Sequence, residues 1–357
     1  MIHVLDISPE ELRTRTEALG GKGFAAKQIR QWIWGKRVYD FQAMTNLSLE
    51  LRRRLAGEMT ILTGQIEAEA RSRDGVIKLL LAWPDDQQIE TVLIPSEERQ
   101  TVCVSTQVGC AMGCAFCASG LGGLKRNLTA GEIVEQVLQL QRLSRRRVTN
   151  VVFMGVGEPL ANYDATVRAV RMLIHPDEGG LSARKITVST VGLPEAIRRL
   201  ANENLPITLA ISLHAPDDAL RAELMPAAAK YPIAEILSAA EEFFQSRNRE
   251  VTLEYTLLAD VNDSPAQAEA LAKLAQRLRC NVNLIRYNPV APLPFARCDE
   301  ARTEAFAQRL RRRGVNVNVR RSRGTDVDAA CGQLRLRQTQ EKENRISSPQ
   351  RAQRTQR

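Results

Sequence analysis

The stretch Cys103-Val-Ser-Thr-Gln-Val-Gly-Cys110-Ala-Met-Gly-Cys114-Ala-Phe-Cys117 runs from an apolar, β-prone segment into three cysteines spaced C-x3-C-x2-C. Thiolates this close together suit a soft metal centre, either zinc or an iron–sulfur cluster. Both usually take a fourth protein ligand, but none follows within a short loop and the chain has only three histidines. Three thiolates on a four-iron cluster would leave one iron open to a reacting ligand. The alternatives are a zinc knuckle and three buried core cysteines.

The composition of the 357 residues bounds the possibilities. A hydrophobic content of 44% can bury a substantial core, in one large domain or in one large and one small domain. The sequence has no apolar run of about 18 residues and no signal-peptide pattern, so we expect a cytoplasmic protein without a membrane span. Seven cysteines fit a reducing compartment better than a disulfide scaffold. The formal charge of +9 points to a polyanionic partner such as nucleic acid.

Residues 1–57 predict a small helical accessory domain. Ser8-Pro9-Glu10-Glu11 has the pattern of a capping box with proline at the first helical position, and two more helices follow. The second and third helices share a basic surface that either is merely solvated or contacts phosphates. Its members are Lys27, Arg30, Lys36, Arg37, Arg52, Arg53 and Arg54.

Residues 58–98 predict a small antiparallel β segment. Period-two patterns over 65–72, 76–83 and 88–95 are separated by turn residues. Glu90 lies in the third of these strands, where a lone glutamate normally faces solvent.

From residue 99 to 335 strand patterns alternate with helix patterns, which predicts an α/β fold with a parallel sheet and right-handed crossovers. We expect a partial (β/α) barrel with its function at the carboxyl ends of the strands. The predicted strands cover 101–105, 148–154, 185–190, 207–213, 251–257, 282–285 and 315–319, with helices such as 129–143 and 264–278 between them. The polar tail 336–357 is predicted to be disordered.

Polar groups follow several of these strands. The turn Gly155-Val-Gly157-Glu158-Pro159 lacks the third glycine of a dinucleotide-binding fingerprint, and it better suits holding a ligand's ammonium group. Ser189, Ser212-Leu213-His214 and Asn288 end later strands. Each one alone is more often a turn or cap residue than a ligand contact, so their recurrence at one face gives the set its weight.

Cys331 stands between alanine and glycine in a short polar loop beyond the last predicted strand. Exposed thiols are usually avoided unless their reactivity is used. From its surroundings alone, Cys331 is equally well read as a reactive thiol or as an inert one.

With an aromatic residue before its last cysteine, the C-x3-C-x2-C motif resembles that of radical S-adenosylmethionine enzymes. Over roughly residues 5–335 the chain is similar to the radical S-adenosylmethionine RNA methyltransferases that act on carbon 2 of adenine. That family modifies 23S ribosomal RNA and the transfer RNA adenine 3′ to the anticodon. The similarity rests on 89–95, 103–110, 157–159, 210–215, 288–289 and 328–334.

The resemblance implies roles for individual residues. A [4Fe-4S] cluster would be bound by Cys110, Cys114 and Cys117. S-adenosylmethionine would be held by Gly157, Glu158, Ser189, Ser212, Leu213, His214 and Asn288. Cys331 would be the methyl-carrying nucleophile, Cys103 its partner thiol and Glu90 a proton acceptor.

The implied chemistry uses two molecules of S-adenosylmethionine, because carbon 2 of adenine carries no lone pair that could attack a sulfonium methyl. Cys331 takes a methyl group from the first, and the second yields a 5′-deoxyadenosyl radical that activates this methyl. Release of the methylated base leaves a disulfide between Cys331 and Cys103. The implied partners are 23S ribosomal RNA, transfer RNA and a flavodoxin-like or ferredoxin-like electron donor, and we expect a monomer.

Two alternatives stay open on the sequence. A related family methylates carbon 8 of the same ribosomal adenine and shares the cluster, the fold and both lone cysteines. A catalytically silent, zinc-bearing RNA-binding protein is the alternative from another class.

Overall fold

The computed structural model describes residues 1–320. Cys331 and the predicted tail 336–357 lie outside the described residues. Among those described, one large sheet dominates, and two short two-stranded sheets accompany it. Its strands lie in the order β14-β13-β12-β11-β10-β9-β6-β5-β4-β3.

The strands have these bounds: β1 Ile2–His3, β2 Met59–Thr60, β3 Gln65–Arg71, β4 Ile77–Ala82, β5 Gln88–Pro95, β6 Gln100–Cys103, β7 Gln107–Gly109, β8 Leu124–Asn127, β9 Asn150–Phe153, β10 Ile186–Thr190, β11 Thr208–Ser212, β12 Val251–Leu257, β13 Cys280–Arg286 and β14 Asn316–Arg320. The helices are α1 Pro9–Ala18, α2 Ala25–Arg30, α3 Leu49–Glu58, α4 Ala130–Leu143, α5 Tyr163–Ile174, α6 Pro194–Ala201, α7 Asp218–Leu224, α8 Ile233–Arg247, α9 Pro265–Ala275 and α10 Glu300–Arg312.

The large sheet has a parallel part and an antiparallel part. From β6 through β9 to β14 every neighbouring pair is parallel, and the strands follow chain order. Strands β3, β4 and β5 continue the same sheet with antiparallel pairing. Because β3 and β14 lie at opposite edges, the described sheet is an open barrel rather than a closed one. The predicted α/β partial barrel is confirmed.

Helices cover the outer face of the parallel strands, and the main hydrophobic core lies between the two layers. Strand residues that point outward are fully buried, for example Leu253 and Tyr255 on β12, and Tyr255 stacks on Phe306 of α10. The alternate residues of each strand therefore face the interior of the barrel, which we call the lumen.

Two helix N-termini differ in their capping. The Thr129 capping box is formed in full, with Glu132 reaching back to the Thr129 backbone. The Ser8 box is only half formed. Ser8 accepts the backbone N–H of Glu11, but the Glu11 carboxylate pairs with Arg15 at 2.8 Å instead of returning to the cap.

The N-terminal segment is attached to α4 by buried polar contacts. Glu135 is fully buried and accepts the backbone N–H groups of Thr63 and Gly64, both at 2.8 Å. His3 lies 3.4 Å from the same carboxylate, and Asp6 accepts the backbone N–H of Gly131 in the first turn of α4. One carboxylate therefore fixes both the chain leading into β3 and the start of the chain.

No helix within residues 1–320 is both long enough and apolar enough to cross a membrane.

Replacing Glu135 with alanine leaves the backbone N–H groups of buried Gly64 and half-buried Thr63 without an acceptor. A buried group costs about 1–3 kcal/mol and a half-buried one less, so we expect Glu135→Ala to lower the free energy of unfolding by roughly 2–5 kcal/mol. Urea denaturation measures this. As a control, Glu50→Ala removes only an exposed pair with Arg54 and should cost less than about 1 kcal/mol. Equal losses in the two variants would refute this account of the attachment.

Candidate active site

The segment that carries the three cysteines is held by a hairpin which the sequence pattern did not predict. Strands β7 and β8 pair antiparallel on either side of it, and the Cys110 backbone N–H donates to the Gly123 carbonyl at 3.2 Å. Gly109 has φ +75°, and a Cβ there would lie 1.9 Å from the Gly123 oxygen. Only glycine fits at this position, so it sets how the chain enters what we call the cysteine loop, residues 110–123.

The cysteine loop rests on a second, smaller apolar cluster. The Ala115 backbone N–H donates to the Leu224 carbonyl at 2.9 Å, which fixes the loop to the end of α7. Met112, Cys114 and Phe116 pack against the buried members of the cluster, which are Val191, Ala215, Leu224, Met225, Ala228, Leu258 and Tyr287. The Cys114 thiol therefore lies beside a surface that excludes water.

Burial dominates the electrostatics of these thiols. It raises the pKa of Cys110 to about 11. The pKa of Cys114 is raised still further, first by burial and then by the charges of Cys117 and Cys110. A cationic metal centre would relieve both the cost of burying these thiolates and their mutual repulsion. Three soft donors in one loop fit an iron–sulfur cluster. Across residues 1–320, no three His, Cys, Asp or Glu side chains converge tightly enough for a single metal ion.

Gly157 and Glu158 lie directly beyond β9. Gly157 has φ +110°, and a Cβ there would lie 2.7 Å from the Gln107 side chain, so glycine lets this turn pack against β7. The Glu158 carboxylate is buried and accepts the backbone N–H groups of Leu160 at 2.9 Å and Val191 at 2.8 Å. Its carboxylate thus joins the turn after β9 to the turn after β10. Burial raises its pKa to about 7.

The ends of β10 and β11 bring three predicted residues together. The hydroxyls of Ser189 and Ser212 lie 3.3 Å apart. His214 adopts φ +56°, accepts the Thr256 backbone N–H at its Nδ1 at 3.0 Å, and meets the Phe116 ring edge-on at 5.0 Å. Burial, reinforced by the charge of Arg221, lowers the pKa of His214 to about 3. A neutral histidine therefore connects β11 to the cysteine loop.

Two other predicted residues are placed differently. Leu213 has a fully buried side chain in the main core, so only its backbone can face a ligand at this edge. Asn288 follows β13, and its side-chain oxygen accepts a hydrogen bond from Arg297.

Glu90 does not face solvent, which corrects the ordinary expectation for a lone strand glutamate. Glu90 on β5 is buried and pairs at 2.9 Å with Lys78 on β4, which is itself fully buried. Cys103 at the end of β6 is also buried, in a small cluster with Val76 and Val92. The sequence reasoning did not single out Lys78. Its position inside the apolar run 76–83 was the feature of the sequence that indicated a buried lysine.

Arg221 was likewise not anticipated. It is buried below the cysteine loop, and its guanidinium donates to the carbonyls of Ala228 at 3.1 Å, Tyr231 at 3.3 Å and Val191. Nothing in its sequence surroundings marks it as buried.

The predicted basic surface of the N-terminal helices is only partly open. Arg30 pairs with Glu178 at 2.9 Å, and Arg54 pairs with Glu50 at 2.8 Å. Lys36 lies 3.5 Å over the Trp32 ring, while Arg53 is exposed. The exposed part of this surface could still contact phosphates.

Comparison with known proteins agrees with this arrangement. The model of the radical SAM superfamily matches residues 104–273, and the model of the ribosomal RNA large subunit methyltransferase N-terminal domain matches residues 2–61. A Symbiobacterium thermophilum protein named "Probable dual-specificity RNA methyltransferase RlmN" is 48% identical, over 93% of this chain and 90% of its own. A Thermus thermophilus protein of the same name is 46% identical, over 94% and 93%.

Among solved structures, a crystal structure of a radical SAM methyltransferase from Sphaerobacter thermophilus superposes with a TM-score of 0.90. It shares 46% sequence identity, and the match covers 93% of this chain and 99% of that one.

Because the folded pKa of Glu158 is above that of an unfolded glutamate, its contribution to stability is complete below the unfolded pKa. It is lost as pH rises through about 7. For protein prepared without iron or S-adenosylmethionine, we expect this loss to be about 3 kcal/mol. Glu158→Gln should remove this slope from the pH dependence of the unfolding free energy.

Urea denaturation between pH 4.5 and 7.5 measures the slope in the wild type and the variant. Glu195→Gln, an exposed carboxylate in the first turn of α6, is the matched control and should keep the wild-type slope. A Glu158→Gln curve parallel to the wild type would contradict the prediction.

Proposed function

Because the chain belongs to the RlmN family of radical S-adenosylmethionine RNA methyltransferases, we propose that it methylates carbon 2 of one adenine in 23S ribosomal RNA and of the adenine 3′ to the anticodon in transfer RNA. The observation that carries the proposal is where the site residues lie in the barrel. The cysteine loop and the polar residues that follow β9, β10 and β11 meet at one end of the barrel, where (β/α) barrels place their chemistry.

Membership in the superfamily implies S-adenosylmethionine and a [4Fe-4S] cluster. We assign the cluster to Cys110, Cys114 and Cys117. When bound, these groups supply a methyl group and the radical chemistry needed to modify an aromatic carbon that has no lone pair. The apolar cluster under the cysteine loop keeps water from them, and the hydroxyls of Ser189 and Ser212 offer hydrogen bonds to the cofactor.

The chain's own side chains would complete the transfer. Cys331, as thiolate, takes the methyl group by displacement. Once the methyl carbon joins Cys331 to carbon 2 of the base, Glu90 accepts the ring proton and the adduct would return its unpaired electron to the iron–sulfur cluster. The Cys103 thiolate then attacks the sulfur of Cys331 and breaks its bond to the methylene carbon. That carbon takes up a proton, which gives the methylated adenine, and a disulfide between Cys103 and Cys331 is left. The Lys78 ammonium offsets the buried charge of the Glu90 carboxylate.

The substrate base must leave its stack or lie in a loop to reach the lumen. We propose that the exposed cations of the N-terminal helices contact the RNA backbone. The resting cluster also needs a one-electron donor, for which a flavodoxin-like or ferredoxin-like protein is suitable, and we propose that the protein acts as a monomer.

Nucleoside analysis tests the proposal. Mass spectrometry of 23S ribosomal RNA and of transfer RNA should find 2-methyladenosine in cells that express the protein and none in matched cells without it. Methylation at carbon 8 would assign the protein to the related specificity instead. Unchanged RNA in both pools would overturn the methyltransferase proposal.

Cys103→Ala should trap the enzyme on its RNA, because the thiol that resolves the covalent link is missing. Denaturing gel electrophoresis after an anaerobic reaction should show a stable protein–RNA adduct, with methylated product reduced at least 100-fold, on the order of the loss of a nucleophile.

The matched control is Cys280→Ala. Cys280 begins β13, and its thiol contacts the Ala275 carbonyl outside the lumen. That variant should turn over normally without an adduct. Normal turnover by Cys103→Ala would eliminate the two-thiol mechanism.

A further inference from the structure

A row of polar side chains that includes Ser212 runs across four adjacent strands of the sheet. The strand register places Ser212 opposite Glu254, Glu254 opposite Asn283, and Asn283 opposite Asn318. These four residues therefore form one layer across β11, β12, β13 and β14. Neighbouring strands lie about 5 Å apart, so the register sets these four residues side by side across the sheet.

This layer faces the lumen rather than the helices. The neighbours of Glu254 on β12, Leu253 and Tyr255, both belong to the main core on the outer face. Successive side chains of a strand point to opposite faces, so Glu254 points inward. The same alternation holds on β13, where Val282 and Leu284 lie in the core on either side of Asn283.

The hydrogen bonds of the layer run in one direction and end on Glu254. The side-chain amide of Asn318 donates to the Asn283 oxygen at 3.0 Å, and the amide of Asn283 donates to Oε1 of Glu254 at 3.0 Å. Oε2 of Glu254 is buried and has no hydrogen-bond partner among the described residues. Glu254 as a whole is only 3% exposed.

An unpartnered carboxylate oxygen at this depth is costly, because burial removes its water without replacing it. Burial correspondingly raises the pKa of Glu254, while the Asn283 hydrogen bond and the charge of Arg320 oppose the rise. Within residues 1–320, Arg320 makes no ion pair with it. Buried polar groups without a partner in the protein commonly bind a ligand or an ordered water.

We propose that Oε2 of Glu254 accepts a hydrogen bond from a ribose hydroxyl of a bound nucleoside. Ser212 is its direct neighbour in the layer, and the Ser189 hydroxyl lies 3.3 Å from that of Ser212. The three side chains together present a carboxylate and two hydroxyls, which can satisfy the two vicinal hydroxyls of a ribose. A carboxylate is a common acceptor for such a hydroxyl in nucleotide-binding sites.

The inference rests on the proposed function, which brings two nucleosides to this end of the barrel. The ribose belongs either to S-adenosylmethionine or to the target nucleotide of the RNA. Both offer the same chemistry to Glu254, and the experiment below separates them.

The test uses the full chain, purified anaerobically with its cluster. Equilibrium dialysis gives the dissociation constants of S-adenosylmethionine and of its 2′-deoxy and 3′-deoxy analogues. Filter binding gives those of a transfer RNA with adenosine or 2′-deoxyadenosine at the target position. Each is measured for the wild type, Glu254→Gln and Glu254→Ala. Glu250→Gln is the matched control, because Glu250 is exposed, pairs with Arg279 and precedes the same strand.

If the ribose is that of S-adenosylmethionine, Glu254→Gln should weaken its binding about 10-fold and Glu254→Ala more, on the scale of a charge-assisted hydrogen bond. The deoxy analogue that lacks the recognised hydroxyl should bind wild type and variants alike, and RNA binding should not change. If the ribose is that of the RNA, the same losses should appear with the adenosine RNA and vanish with the deoxyadenosine RNA. Thermal denaturation identifies any variant that has simply failed to fold, and the other substitution then supplies the answer.

Unchanged affinities for both probes, or equal losses for ribose and deoxyribose ligands, would overturn the inference while leaving the proposed function in place. A wild-type protein that binds no S-adenosylmethionine would instead overturn the proposed function on which the inference rests.

Discussion

The parallel register of β6 and β9–β14 is the constraint on which the site depends. Because these strands follow chain order in one direction, their carboxyl ends all reach the same edge of the sheet. Each turn beyond a strand is therefore next to the turns of its neighbours. Glu158 shows the consequence, since a residue after β9 binds the Val191 backbone after β10. Groups far apart in sequence are therefore assembled at one edge of the sheet.

The strands of this sheet were predictable because each is a short run rich in β-branched or aliphatic residues between turn signals. Strand β12 has the predicted bounds, and β10 differs by one residue at its start. The hairpin of β7 and β8 was not predictable in the same way. Gln107–Gly109 is too short to show a period, and Leu124–Asn127 is mostly polar and exposed. These strands form because they pair with each other on either side of the cysteine loop. Their pairing depends on tertiary structure rather than on local sequence preference.

The site was foreseeable in its residue types but not in their burial. The sequence of a single strand shows which residues alternate between its two faces but not which side chains the next strand provides. Glu90 therefore looked solvent-facing, although it is buried against Lys78 of the neighbouring strand. A charged residue inside an otherwise apolar run, as at Lys78 and Glu254, was the available signal. Isolated buried charges are too costly to persist, so such a residue implies a partner that the sequence does not identify. Lys78 is paired with Glu90, whereas Glu254 accepts one hydrogen bond from Asn283 and its Oε2 has no hydrogen-bond partner among the described residues.

Arg221 gives this end of the barrel its electrostatic balance. Its guanidinium is held by three backbone carbonyls, which are neutral, and its Nε has no hydrogen-bond partner within the described chain. Burial lowers the pKa of Arg221, whereas the charges of Asp218 and of an ionised Cys114 raise it. The same cation favours thiolate at Cys114 and disfavours a proton on His214. A fixed positive charge below the cysteine loop therefore opposes part of the rise that burial causes in the pKa of Cys114, and it adds to the burial that keeps His214 neutral. As a neutral imidazole, His214 can accept the backbone N–H of Thr256.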